Sequence, residues 1–200
     1  LIPVLCGTDR IGISIILNSM CAFFDSANHP KNALIVKDLK KDDEKILECN
    51  EDSPTSLFVF KTITDPFVGK TSYFKVTSGT LYAGMTLYNP KEKEDEKIVK
   101  IYQPMGKNLI EVDKLHAGEI GAFTRSTTCH TNDTLCDPRS PILIPDTEYS
   151  KPYYKKAIVP LGKSNEEKIA NAINRLLEED PTLVYEYNEE TKQQCLSGIG

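Results

Sequence analysis

Two hundred residues, 40% hydrophobic and 26% charged, suit one large or two small domains of a soluble globular protein. No run approaches the roughly 18 apolar residues of a membrane span. A net charge of −5 argues against wrapping duplex DNA through a uniformly basic face, because that affinity comes from many Lys and Arg contacts; a local basic patch stays compatible with it. The six scattered cysteines, Cys6, Cys21, Cys49, Cys129, Cys136 and Cys195, include no CxxC pair and read as reduced thiols of a cytoplasmic protein.

Leu1 to Leu5 is apolar without a basic leader and reads as a buried strand rather than a signal peptide. The absence of an initiating Met suggests a chain cut from something longer. Cys6-Gly7-Thr8-Asp9-Arg10 reads as a turn, and Ile13, Ile16, Leu17, Met20 and Phe24 recur at helical spacing. Asp25 to Pro54 is polar and reads as a linker, with Leu34-Ile35-Val36 open as a short strand. The signs in Lys37 to Lys45 alternate and cancel, which suits a solvated surface better than a nucleic-acid patch.

Phe58 to Asn89 alternates apolar and polar residues, with Phe58, Phe60, Ile63, Tyr73, Phe74 and Val76 suited to a pleated, half-buried surface. Asp65-Pro66 with Gly69, Ser78-Gly79 and Ala83-Gly84 punctuate it as turns. Lys91 to Lys97 reads as a hairpin tip between strands ending at Tyr88 and resuming at Ile98. Strands are expected at Ile98 to Ile101, Leu109 to Val112, Ile120 to Phe123 and Ile142 to Ile144, enough with the earlier ones to close a small barrel. Pro141, Pro145 and Pro152 mark a joint.

Beyond Tyr154 the pattern is strand, helix, strand, strand. Lys155 to Pro160 is the first strand, and Ser164-Asn165-Glu166-Glu167 is a capping box. Ile169, Ala170, Ile173, Leu176 and Leu177 fall on one helix face, which Pro181 terminates. Leu183 to Tyr187 and Gln193 to Ser197 form a hairpin.

Little here suggests catalysis. No GxxxxGK[ST] stretch occurs, and Gly69-Lys70-Thr71 lacks the first glycine and is flanked by strands. In Cys129-His130, adjacent residues of an extended segment point to opposite faces, so with Asp133 and Cys136 they form neither a catalytic pair nor a metal site. His29 and His116 read as surface residues. Glu178-Glu179-Asp180, at a helix C-terminus facing a hinge, reads as an interaction or solvated feature. No catalytic residue and no metal ligand is expected.

Several blocks, in order, closely resemble the second domain of bacterial elongation factor G: VFK at Val59 to Lys61, DPFVGK at Asp65 to Lys70, VTSGTL at Val76 to Leu81, AGEI at Ala117 to Ile120, and DTLCD at Asp133 to Asp137. Cys6 to Ile13 is similar to the last guanine-recognition loop and following helix of that family's GTPase domain. There the loop is longer and a small residue replaces Asp9, which works against base contact here. EEDPT at Glu178 to Thr182 and SGIG at Ser197 to Gly200 look like its third domain.

The resemblance implies a mainly β plus α+β chain. A strand–helix tail of a P-loop GTPase domain and a linker (1–54) would precede a translation-factor antiparallel β-barrel (55–148) and an incomplete ferredoxin-like βαββ sandwich (149–200). It further implies a longer protein that binds GTP and Mg, works on the ribosome and drives tRNA–mRNA movement, while this part alone is inactive. Gly7, Thr8 and Asp9 would face the guanine; Lys70, Lys75 and Arg125 would contact small-subunit RNA, beside ribosomal proteins, with no DNA or membrane partner. The alternatives are a divergent paralogue or ribosome-protection factor, or a non-enzymatic RNA- or protein-binding module.

Overall fold

The computed structural model describes residues 4–8, 11–65, 69–126, 128–159 and 166–200. Val4 and Leu5 form no strand and are exposed, Val4 at 93%, so the buried strand expected there does not form among the described residues. Helix α1 (Ile13–Phe23) follows at the expected spacing. Gly12, at φ +85°, opens it, and a Cβ there would stand 2.5 Å from the Cys6 carbonyl oxygen. None of its residues is buried.

The segment expected as a linker is a hairpin of β1 (Leu34–Asp38) and β2 (Asp43–Leu47), in register from Leu34↔Leu47 to Asp38↔Asp43. Side-chain chemistry in the charged run builds its turn. The Asp38 carboxylate accepts the Lys40 N–H at 2.9 Å, the Asp42 N–H returns to the Asp38 carbonyl, and Asp42 takes the left-handed conformation.

Ten strands build the barrel: β3 (Ser56–Asp65), β4 (Gly69–Ser78), β5 (Thr80–Tyr82), β6 (Thr86–Asn89), β7 (Glu94–Lys97), β8 (Ile101–Met105), β9 (Asn108–Val112), β10 (Lys114–His116), β11 (Ile120–Thr124) and β12 (Thr134–Cys136). Eight form one antiparallel sheet in the order β7-β6-β12-β3-β4-β11-β8-β9, and β5 pairs with β10. The sheet curls on itself, because one core collects Leu57 and Val59 of β3, Phe74 and Val76 of β4, Leu87 of β6 and Ile101 of β8. Each such side chain contributes about 1.5–3 kcal/mol by leaving water.

Two local readings change. Alternation along β3 puts Leu57 and Val59 in the core and leaves Phe60 41% exposed, and the bulge between Val59 and Lys61 then shifts the phase so that Thr62 is the next buried residue. The charged run Lys91 to Lys97 contains β7 itself, paired with β6 from Thr86↔Lys97 to Asn89↔Glu94, and the following strand starts at Ile101 rather than Ile98. Gly79 is required where the chain leaves β4 for β5. Its φ is +74°, and a Cβ would lie 2.6 Å from the Thr55 Cα and 2.7 Å from the Ser53 carbonyl oxygen.

Strand β13 (Ile142–Leu143) pairs with β1 rather than joining the barrel, giving a three-stranded sheet β13-β1-β2. Val36, Cys136, Ile142 and Ile144 form a second core, joined by Leu47, Phe58 and Tyr88. Phe58 thus serves this second layer, one residue out of phase with the barrel interior.

The last unit comprises β14 (Tyr154–Ala157), α2 (Glu166–Glu179), β15 (Val184–Asn188) and β16 (Gln193–Gly198). Its antiparallel order β14-β16-β15 puts the last strand in the middle, so α2 carries the chain across β16. This is the expected split βαβ arrangement. Ser164 and Asn165 of the anticipated capping box lie outside the described residues.

Candidate functional site

In the loop before α1, the Thr8 N–H donates to the Ile11 carbonyl at 2.8 Å and the Thr8 hydroxyl accepts the Ile11 N–H at 3.2 Å. Thr8 therefore spends its amide inside the turn. Gly7 is needed for close packing, since a Cβ would meet Ile16 Cδ1 at 2.6 Å. Asp9 lies outside the described residues.

The three expected RNA-contacting cations stand in different surroundings. Lys75 is exposed on β4, beside Phe58 and Ile120 in the ladder, with no ion pair among the described residues. Arg125 is exposed at the end of β11; its φ is +65°, and its N–H donates to the Lys70 carbonyl at 2.9 Å. Arg125 borders a groove of about 740 Å³ that also includes Lys97, Val99, Lys100, Tyr102 and Phe123. Of its cations Lys100 is paired, 2.8 Å from Glu111, which raises the Lys100 pKa. Lys70 is not the free cation expected. Its side chain is 14% exposed and paired with Glu178 of α2, a contact that the sequence did not show.

Glu178 also lies 3.2 Å from His130 Nδ1, and Glu179 accepts the Thr64 N–H at 2.6 Å. This junction of α2 with the barrel was missed by sequence reasoning. Its one signal was the acidic run itself: carboxylates at the negative end of a helix dipole cost about 0.3–1 kcal/mol each unless a cation compensates. No basic residue in the last turn of α2 does so.

Cys129 and His130 point apart as expected, the thiol fully buried and the imidazole 51% exposed. Burial, with the negative charges of Asp133 and Glu96, pushes the Cys129 thiol far up, leaving it protonated and inert. Asn132 adopts φ +74° as its short amide side chain permits. Asp133 is 2% exposed and accepts from Asn89 Nδ2 at 2.9 Å and from the His130 N–H at 2.8 Å. Its role is to organise the turn before β12. Among the described residues no group of three His, Cys, Asp or Glu is placed to hold a metal ion.

Two family models match the chain in succession: "Elongation factor G domain 2" over residues 54–138 and "Elongation Factor G, domain III" over residues 149–200. The chain belongs to the elongation factor G family. Elongation factor G of Chlamydia caviae is 36% identical over 202 residues, covering 99% of this chain and 29% of that protein. A crystal structure of a Thermus thermophilus protein superposes with a TM-score of 0.68 at 32% identity, covering 74% of this chain and 23% of that one. The curled sheet of β3 to β12 is thus the elongation factor G domain 2 barrel, and β14 to β16 with α2 belong to domain III. This chain spans under a third of the Chlamydia elongation factor G.

Proposed function

We propose that the chain supplies the ribosome-docking barrel and the inter-domain relay of a translational GTPase that moves tRNA and mRNA. The observation that carries this reading is the succession of the two elongation factor G domains along one chain. In this reading residues 1–54 end the GTPase domain and its connection, 55–148 form the barrel and 149–200 the relay. The exposed Lys75 and Arg125 contact phosphates of small-subunit RNA, positioning the barrel without reading sequence. The relay works by rigid-body repacking of the βαβ unit against its neighbours.

GTP and Mg2+ are implied by the family, but these residues do not fit the phosphate and metal part of such a site. No GxxxxGK[ST] stretch occurs to cradle phosphates; on the base side, the Thr8 amide is already bonded to Ile11. No step of hydrolysis is assigned to this chain, and the 200 residues alone are expected to turn over no GTP. The Thr8–Ile11 closure also favours the second reading, a divergent paralogue or ribosome-protection factor with altered base recognition.

The test is co-sedimentation of the full-length protein with ribosomes, comparing GTP with GDP. Binding that responds to the nucleotide supports the translational reading. Ribosome binding that is absent, or the same with GTP and GDP, would sink it.

A further inference from the structure

Beyond that reading, we propose that Glu178 and Glu179 of α2 form an electrostatic latch that fixes the orientation of the βαβ unit on the barrel. Its receiving side is the end of the β3–β4 hairpin with the loop before β12. Glu178 meets Lys70 and stands 3.2 Å from His130 Nδ1, and Lys70 Nζ is itself 3.4 Å from that nitrogen. Glu179 takes the Thr64 N–H at 2.6 Å. Thr64 and Lys70 are ladder partners, so both carboxylates land on one rung of the hairpin.

Three features separate the latch from an incidental surface pair. First, the carboxylates sit where the α2 dipole disfavours them and no basic residue of the last turn compensates, so their partners are tertiary. Second, Lys70 and Glu178 side chains are only 14% and 23% exposed, which limits screening by solvent and salt. Third, α2 packs against β3 as well as against β15 of its own unit. A backbone amide donating in a fixed direction, a lysine and an imidazole together define an orientation, which one flexible pair does not.

A latch of Glu178 and Glu179 on Lys70, His130 and the Thr64 amide predicts that losing these polar contacts frees the unit, packing of α2 on β3 alone being too little to hold it. In the full 200-residue chain, 15N relaxation should give one correlation time for barrel amides and amides of β14 to β16. Glu178→Gln with Glu179→Gln should split this into two shorter times, and so should Lys70→Glu. Combining Lys70→Glu with Glu178→Lys should restore the single value. Unchanged amide shifts of core residues such as Leu57 and Phe74 verify folding in each variant. Should a variant on α2 unfold its helix, Lys70→Met gives the same reading from the barrel side. Separate tumbling in the unmodified chain, or one correlation time in both Lys70→Glu and the double Gln variant, overturns the proposal.

Discussion

Replacing Asp133 by Ala removes the acceptor around which the turn before β12 is organised. Its carboxylate is 2% exposed, and a single oxygen, Oδ2, accepts both the Asn89 side-chain amide at 2.9 Å and the His130 N–H at 2.8 Å. Asn89 is fully buried on β6, and its side-chain Oδ1 caps the next turn by accepting the Lys91 N–H at 3.1 Å. The substitution therefore leaves a buried donor with no way to reach water while its other end stays anchored. A buried polar group left unsatisfied costs about 1–3 kcal/mol, and hydrogen bonds to a charged partner lie toward the upper end.

The Asn89 donor carries that cost in full. The His130 amide, beside an exposed side chain, regains part of it from water. The sum is about 2–4 kcal/mol. For a chain of this size about 2–4 °C of melting temperature accompanies each kcal/mol, so Asp133→Ala should lower the barrel transition by roughly 4–16 °C. Asp133→Asn keeps an oxygen acceptor and should cost about 1 kcal/mol. Urea unfolding followed by far-ultraviolet circular dichroism measures both. A loss below about 1 kcal/mol for Ala would refute the hydrogen-bond account. Equal losses for Ala and Asn would assign the effect instead to the charge facing Lys91, whose Nζ lies 3.8 Å from Asp133.

The thiols should divide by burial: Cys6 and Cys21, both exposed, react first with Ellman's reagent at about pH 8, while Cys129 and Cys136 react only after unfolding. Modification of Cys129 in the folded chain as fast as Cys6 contradicts that order. The β1–β2 hairpin should weaken in acid. The Lys40 N–H, then Lys45, lowers the Asp38 pKa, and Lys37 lowers that of Asp42. A depressed folded pKa gives stabilisation that is complete above the unfolded carboxylate value of about 4 and is lost as pH falls through the folded one. Amide exchange of Leu34 to Leu47 between neutral and strongly acidic pH checks this; protection rising on acidification would reverse the sign.

Strand, turn and helix types in this chain are local matters, and the sequence carried most of them. Alternation from Phe58 to Asn89 announced a β-barrel, and helical spacing from Ile13 and from Ile169 announced α1 and α2. The linker reading left Leu34 to Val36 open as a strand, and the solvated charge of Lys37 to Lys45 hid that this strand continues into a hairpin. The strands there are held by packing of Val36 on the barrel exterior and by pairing with β13, far along the chain. The alternation from Phe58 also did not reveal the bulge after Val59, which shifts the inward phase to Thr62; only the β3–β4 register shows it.

The family also followed from sequence, since blocks of residues in order survive where individual contacts do not. The partners of charged side chains did not follow. Lys70 and Glu178 lie on different domains, far apart along the chain; the sequence offered the first as an RNA contact and the second as an interaction or solvated feature, with nothing to join them. Periodicity reports which face of an element is apolar, but a charge chooses its partner by distance in the folded chain. That distance exists only once α2 lies against β3.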